Sequence, residues 1–198
     1  GLGGGCFITY YDKASRKVHT FDARGVAPIK AHKDMFLNSD GDVDLEKQTY
    51  GGMSVITPGY LRGLEQLLTK YGTMTWEQVA APAIKLGREG FRVGATYEIC
   101  CNKEEAEYAR SHFDGFESTF MPDGKIPLFG DLVYNRDMAD TIEAVVRNGV
   151  DWFYNGPIAD EIVSTINRYG GVYDKKDIQN TYVKERPCVR GTYRGDDI

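Results

Sequence analysis

The chain is poor in the residue types that most often bind metals or form structural disulfides. It has three histidines and four cysteines. The histidines, His19, His32 and His112, are scattered, Cys100 and Cys101 are adjacent, and no two cysteines have the C-x-x-C spacing. This pattern indicates neither a zinc site nor a disulfide framework. We predict no metal, and cysteines that act as small buried side chains.

Long apolar runs and an excess of positive charge are also missing. No apolar stretch approaches the roughly 20 residues that a membrane-spanning helix needs. The net charge is -5, which argues against a nucleic-acid partner or a general phosphate-binding surface. The hydrophobic content of 41% and the charged content of 27% are those of a globular protein. Because the chain begins with Gly1 and not with methionine, we interpret it as a piece cut from a longer protein.

Near its start the chain has two strand-like segments separated by a short turn. Residues 6–11 are β-branched and aromatic, residues 17–22 alternate polar and apolar side chains, and a polar turn separates them. The pattern predicts a β-hairpin, and the unbroken apolar run of the first strand predicts burial on both of its faces. Residues 182–194 are expected to be extended and interrupted at Pro187, with a strand partner in the hairpin or outside the chain.

Apolar residues at helical spacing predict several helices in the rest of the chain. The first is expected to have Thr57 as its N-cap and Pro58 as its first residue, and to end at Gly72. A capping box at residues 75–78 opens a second helix, which Pro82 should kink or shorten. Further helices are predicted in the following segments: residues 95–112, from Met138 to Gly149, from Ile158 to Gly170, and a short one from Asp174 to Ile178.

The order of these elements indicates the fold class. Residues 38–50 and 113–130 are polar or rich in Gly, Pro and Asp, so they are expected to be loops. Ser54 is interpreted as a strand residue. One hairpin, many helices and a final strand are typical of an α+β protein, here with an incomplete sheet beside its helical layer. We treat residues 1–198 as a single partial domain.

A lone arginine stands where the second strand of the hairpin ends. Arg24 follows Asp22 closely and precedes an Ala-Pro turn within residues 21–31. A guanidinium group can bind a carboxylate through two parallel hydrogen bonds and does not lose its proton. Arginines at strand ends are also common on protein surfaces. The segment alone therefore leaves a carboxylate site and an ordinary surface arginine both open.

Several further segments occur in a defined order. They are residues 1–7, 22–31 with 34–37, 51–59, 71–93, 153–156, 170–171 and 191–195. This ordered set resembles the large subunit of the γ-glutamyltranspeptidase family. The resemblance covers nearly the whole chain apart from residues 38–50 and about 100–128.

The resemblance implies a fold and a reaction. The family has the N-terminal-nucleophile hydrolase fold, a four-layer αββα sandwich. This chain would form a mostly helical portion of it, with an N-terminal hairpin and a C-terminal strand. A precursor cuts itself to expose a threonine, whose α-amine acts as the base for its own hydroxyl. That threonine attacks γ-glutamyl amides such as glutathione, and the acyl group then passes to water or to an amino acid.

The resemblance also implies site residues and partners. Arg24 would bind the substrate carboxylate, with Asp22 orienting it. The partners would be a γ-glutamyl compound such as glutathione and the small subunit of the same precursor, with no cofactor. Family members are commonly periplasmic, secreted or membrane-anchored.

The sequence departs from the family pattern in two places. Nothing in residues 1–198 matches the nucleophile segment Thr-x-His, so we expect no catalytic residue in this chain and no activity from it alone. Gly25 stands where the family often has glutamate, and this removes one polar contact. Two alternatives therefore stay open. One is an acylase of the same fold acting on an acylated β-lactam or a small oxo-acid amide. The other is a non-catalytic binding module.

Overall fold

A computed structural model of the chain describes residues 1–101 and 103–197. Its strands are β1 (Cys6–Asp12), β2 (Lys17–Ala23), β3 (Phe91–Arg92), β4 (Leu132–Val133), β5 (Lys184–Arg186), β6 (Thr192–Tyr193) and β7 (Asp196–Asp197). Its α-helices are α1 (Leu45–Thr49), α2 (Tyr60–Tyr71), α3 (Trp76–Glu89), α4 (Ala95–Cys100), α5 (Lys103–His112), α6 (Phe116–Phe120), α7 (Arg136–Asn148), α8 (Val150–Asn155), α9 (Pro157–Arg168) and α10 (Lys175–Gln179). Short 3-10 turns lie at Gly52–Ser54 and Pro122–Gly124.

These elements confirm the predicted α+β class, with a hairpin first and a short strand near the end. They form two compact units, Gly1–Thr73 with Val150–Ile198 and Met74–Gly149. Within the residues described, no helix has both the length and the apolar character needed to cross a bilayer. The prediction of a single partial domain stays a prediction.

The first unit is built on an antiparallel sheet with the strand order β1-β2-β5. Asp12 shapes the hairpin turn, because its carboxylate accepts hydrogen bonds from the backbone N–H groups of Ala14 and Ser15 at 3.0 and 3.2 Å. The strand β5, which lies in the first part of the predicted segment 182–194, pairs with β2, so this part finds its partner in the hairpin. Pairing stops at Pro187, which has no N–H to donate to a ladder. The hairpin and the interruption at Pro187 are both confirmed, while the later part of the predicted segment, β6, pairs with β7 and not with the hairpin.

Only one face of this sheet is covered by the described chain. Phe21 and Ala23 of β2 are fully buried on the side that faces α2. On the opposite side Phe7 and Tyr11 of β1 are 68% and 56% exposed. The prediction that both faces of β1 are buried is therefore wrong for this chain. The side chains of a strand alternate between the two faces of a sheet, and in this chain α2 packs against only one of these faces.

The helix α2 begins two residues later than predicted. Its N-cap is Gly59, not Thr57. The Thr57 hydroxyl instead accepts a hydrogen bond from the backbone N–H of Val26 at 2.9 Å, and the Thr57 N–H donates to the Val26 carbonyl at 3.0 Å. Thr57 thus docks the loop that follows β2, and it is almost completely buried. The predicted end of the helix at Gly72 is confirmed.

A buried tyrosine fixes the start of α2. The Tyr154 hydroxyl donates to the Pro58 carbonyl at 2.7 Å and accepts from the Arg62 N–H at 3.3 Å. The Arg62 guanidinium lies 4.4 Å from the centre of the Tyr154 ring and binds Asp151 at 2.7 Å. Burial raises the pKa of Tyr154 to about 12, so the hydroxyl stays protonated and remains a donor.

We expect Tyr154→Phe in the full-length protein to lower the free energy of unfolding by about 1–2 kcal/mol. The change leaves the buried Pro58 carbonyl without its donor, and an unsatisfied buried group costs this much. Urea denaturation followed by circular dichroism measures it. The exposed Tyr182 is the matched control, since Tyr182→Phe should shift the value by less than about 0.5 kcal/mol. Equal effects of the two substitutions would contradict the role given to Tyr154.

The second unit is organised by the packing of α3 against α7. The capping box of α3 is present, because the Thr75 hydroxyl accepts from the Gln78 N–H and the Gln78 side chain accepts from the Thr75 N–H. Ala80 of α3 and Ala139 of α7 are buried. The helix extends over 14 residues with Pro82 inside it, so the prediction that Pro82 shortens it is wrong, and the alternative of a kink stays a prediction. Packing of one helix face stabilises more than the hydrogen bond that proline removes.

The remaining differences from the sequence predictions concern short elements. The predicted loop 38–50 contains α1, whose N-cap Asp44 accepts from the Lys47 N–H at 3.1 Å. The predicted loop 113–130 contains α6. Ser54 lies in a 3-10 turn and not in a strand. The predicted helix over 95–112 is two helices, α4 and α5, with residue 102 outside the described residues. The predictions for α7, α9 and α10 are confirmed.

Candidate carboxylate-binding site at the end of β2

Arg24 is the first residue after β2, and its side chain is exposed. The preceding residue, Ala23, is fully buried, so the strand is held in the unit up to the point where the arginine leaves it. The guanidinium carbon of Arg24 lies 6.0 Å from the centre of the Phe7 ring on the neighbouring strand. A fixed backbone with an accessible guanidinium is the arrangement that binding a small carboxylate requires.

Two glycines bring other backbone segments against this strand end. A Cβ atom on Gly5 would lie 2.8 Å from the Ala23 carbonyl oxygen and 2.9 Å from the Arg24 Cα. A Cβ atom on Gly59, the N-cap of α2, would overlap the same carbonyl oxygen. Only glycine permits such an approach without moving backbone. The Arg24 backbone is therefore held between the start of the chain and the start of α2.

Gly25 makes a third close approach on the other side of Arg24. A Cβ atom on Gly25 would overlap the Thr57 carbonyl oxygen and would lie 2.9 Å from the Ile56 side chain. The adjacent hydrogen bonds between Val26 and Thr57 hold the two segments at this separation. The glycine that departs from the family pattern is thus required by packing in this chain, and a glutamate could not occupy the same backbone position.

Asp22 contacts Arg24 through the backbone. Its Oδ1 accepts a hydrogen bond from the Arg24 N–H at 3.1 Å. Its Oδ2 accepts two from the guanidinium of Arg186 on β5, from Nε at 3.2 Å and from Nη2 at 3.0 Å. These hydrogen bonds, the one from the Arg24 N–H first, lower the pKa of Asp22 and keep it ionised. The two predicted site residues are therefore together, and the sequence reasoning missed Arg186.

A second carboxylate that the sequence reasoning missed supports the loop after the site. Asp177 of α10 is 4% exposed. Its Oδ1 accepts from the Ile29 N–H at 2.6 Å, and its Oδ2 accepts from the Asp174 N–H at 2.7 Å. Both oxygens of this buried carboxylate are occupied, so Asp177 has a structural role. The spacing of Asp174 and Asp177 at the start of a helix was the available signal, but it did not reveal the bond to Ile29.

The described residues hold no group of three or more His, Cys, Asp or Glu side chains that could bind a metal ion. Cys6, Cys101 and Cys188 are unpaired thiols of intermediate burial, so these three meet the prediction of buried cysteines only in part, and the side chain of Cys100 lies outside the described residues. Burial raises the pKa of Cys6, which makes it a poor nucleophile. The exposed guanidinium of Arg24 on a closely packed backbone gives a candidate anion-binding position.

Comparisons with known proteins define first the fold and then the family. The structure of Helicobacter pylori γ-glutamyltranspeptidase matches with a TM-score of 0.88 and 32% identity, over 100% of this chain and 56% of that one. The cephalosporin acylase of Bacillus halodurans matches with a TM-score of 0.79 and 24% identity, over 98% of this chain and 36% of that one, which concerns the fold alone. The chain thus has the fold of an N-terminal-nucleophile hydrolase.

The family model described as Gamma-glutamyltranspeptidase matches residues 1–198. The glutathione hydrolase proenzyme of Escherichia coli (strain K12) is 34% identical over 197 residues, which are 100% of this chain and 34% of that protein. This chain belongs to the γ-glutamyltranspeptidase family. It spans about a third of the length of the curated relatives it matches.

Proposed function

We propose that this chain is the N-terminal part of the large subunit of an enzyme that cleaves γ-glutamyl amides, with glutathione-type compounds as substrates. The observation that carries the proposal is Arg24, which leaves a buried strand end on a backbone held by close contacts, while its guanidinium is accessible. Arg24 binds the substrate carboxylate through a charge-assisted pair. Asp22 holds the Arg24 backbone and does so in its ionised form.

The chemical step requires a nucleophile from another part of the protein. In the proposed reaction a threonine at the start of a small subunit attacks the γ-glutamyl amide carbonyl, and its own α-amine takes the hydroxyl proton. The amine leaving group departs with a proton, and water or an amino acid then takes the acyl group. The contribution of this chain is to hold the substrate by its carboxylate while these bonds change.

The small subunit of the same precursor is the proposed protein partner. The sheet face that carries Phe7 and Tyr11 is exposed in this chain, and a layered sandwich needs a second sheet against that face. A sheet face with large exposed apolar side chains is typical of a surface that another layer covers. In this proposal both compact units of the chain belong to one partial domain that the partner completes.

An acylase of the same fold is the second candidate, and Gly25 favours it. The close approach of Gly25 to Thr57 excludes the glutamate that the family often places there, so one polar contact to the acyl group is lost. An acylase for a group without that contact keeps the nucleophile and differs only in substrate preference. A non-catalytic binding module would lack the nucleophile as well.

Intact-mass spectrometry of the purified full-length protein tests the proposal. We expect two fragments, of which the smaller begins with threonine, and turnover of γ-glutamyl-p-nitroanilide by the cleaved protein but not by this chain alone. Cleavage without γ-glutamyl turnover would favour the acylase. One uncut chain without turnover would favour the binding module and would overturn the proposed function.

A further inference from the structure

We infer that Arg186 is a positioning residue for the Arg24 site, acting through Asp22. The expected effect of Arg186 on substrate binding rests on the proposed function. The hydrogen bonds from Arg186 to Asp22 do not depend on that function. Arg186 lies 162 residues after Arg24 along the chain, and strand pairing brings it to the site. It contacts neither the reacting bond nor, in this proposal, the substrate.

Strand pairing places Arg186 on the same face of the sheet as Asp22. In the register of β2 and β5, Thr20 lies opposite Arg186 and Asp22 lies opposite Lys184. Residues two apart on one strand share a face, so Asp22 and Arg186 stand diagonally on the same side of the sheet. This is the side opposite to α2. The diagonal separation suits a long arginine side chain, and the two hydrogen bonds at 3.0 and 3.2 Å confirm that it reaches.

The hydrogen bonds from Arg186 restrict the orientation of the Asp22 carboxylate. The Asp22 side chain is 18% exposed and that of Arg186 is 52% exposed. With Oδ2 bound by the guanidinium fork, the carboxylate cannot rotate freely, and Oδ1 stays directed at the Arg24 N–H. Arg186 thereby fixes the direction in which the chain leaves β2. The close contacts of the glycines hold the Arg24 backbone from the other sides. The position of Arg24 is therefore set by the Asp22–Arg186 pair together with these glycine contacts.

The strand β5 is held against α2 by a residue other than Arg186. Glu185, between Lys184 and Arg186, points to the α2 side, where it binds Lys70 and accepts a hydrogen bond from Gln66. The strand is therefore attached to α2 independently of Arg186. Removing the Arg186 side chain should leave β5 in place, which makes the effect on Asp22 measurable by itself.

The experiment uses the full-length protein and compares wild type, Arg186→Ala, Arg186→Lys and Lys184→Met. Hydrogen–deuterium exchange read by mass spectrometry follows the peptide that contains residues 22–26. In this chain the pair is partly exposed, and such ion pairs shift equilibria by about 0.2–1 kcal/mol. We therefore expect exchange of the Arg24 amide to rise about 1.5-fold to fivefold in Arg186→Ala, and by more where the partner sheet of the proposed function covers the pair. Arg186→Lys should recover part of the protection. Lys184→Met removes a neighbouring charge but no hydrogen bond to Asp22, and it should leave exchange unchanged.

Kinetics with γ-glutamyl-p-nitroanilide supplies the second readout. We expect Arg186→Ala to raise KM about twofold to fivefold with kcat nearly unchanged, because a misplaced carboxylate anchor weakens binding in ground state and transition state alike. A general loss of structure would instead lower the amount of active enzyme, and so kcat. Arg186→Lys should restore KM in part.

The pH dependence gives a third readout with a definite sign. The groups that face Asp22 are the Arg24 backbone N–H, directly after β2, and Arg186 and Lys184 from β5, and together they lower its pKa. Without Arg186 this pKa rises, so the carboxylate is protonated at a higher pH. The pH below which KM begins to increase should therefore move upward in Arg186→Ala.

The outcomes are separable. Unchanged amide exchange in Arg186→Ala would overturn the inference, and so would faster exchange with an unchanged KM. Wild-type protein without any γ-glutamyl turnover would overturn the proposed function. In that case the exchange result would still decide whether Arg186 sets the Arg24 backbone.

Discussion

Replacing Arg24 with alanine in the full-length enzyme is expected to raise KM for γ-glutamyl-p-nitroanilide about 10-fold to 100-fold. A charge-assisted bidentate pair contributes roughly 1.5–3 kcal/mol, and each 1.4 kcal/mol is a factor of about ten in affinity. The carboxylate lies away from the bond that breaks, so its contact is nearly equal in ground state and transition state. The effect should therefore appear mainly in KM. Steady-state kinetics measures both constants.

Two further variants make the Arg24 prediction specific. Arg24→Lys keeps the charge but loses the planar fork, so it should recover only part of the affinity. Arg190 is another exposed arginine on the same unit, and Arg190→Ala should leave KM unchanged. If Arg24→Ala leaves KM for the glutamyl substrate unchanged, the assignment of Arg24 is wrong. In the proposed function the nucleophile comes from another part of the protein, so kcat should stay nearly unchanged in Arg24→Ala.

The hairpin and the candidate arginine were predictable because their signals are local. A polar turn between two strand-like runs fixes the pairing of β1 with β2, and Arg24 follows directly where the second run ends. The ends of α2 and α9 were likewise predictable from nearby glycines. Such features depend on residues a few positions apart, and backbone preferences act over that distance.

The supports of the site could not be predicted because their partners are distant in sequence. Arg186 reaches Asp22 across 164 residues, and Tyr154 reaches Pro58 across 96. Thr57 shows how a distant partner overrides a local signal. Beside Pro58 it has the sequence of a helix N-cap, but its hydroxyl is used by Val26, 31 residues earlier. Which hydrogen bond forms is decided by the packed fold.

Three short helices, α1, α6 and α8, were missed for another reason, whereas the equally short α10 was predicted from its cap, Asp174. The helix α1 has five residues and α8 has six, while an isolated helix needs about 12–15 residues to be stable in water. Segments this short show no periodic pattern that separates them from loops. They exist because of a cap, as with Asp44 in α1, or because of burial, as with Phe153 and Tyr154 in α8.

Gly25 provides the second large expected effect, because its side-chain position is occupied by backbone. We expect Gly25→Ala to destabilise the full-length protein by about 3 kcal/mol, at the upper end of the cost of overpacking, since a carbonyl oxygen cannot rotate aside as a flexible side chain can. Urea denaturation measures the loss. Gly3→Ala is the matched control, because a Cβ atom there meets nothing within 4 Å, and it should change stability by less than about 0.5 kcal/mol.

The same substitution also tests how the site is built. If the Gly25–Thr57 contact holds Arg24 in position, relief of the overlap must move the segment that carries the guanidinium. KM for the glutamyl substrate should then rise in Gly25→Ala although no substrate contact has been removed. Gly25→Glu, which adds the residue that the family often has, should raise KM at least as much and not lower it. A lower KM in Gly25→Glu would show that the loop accommodates the side chain, and that the missing glutamate reflects substrate preference and not packing.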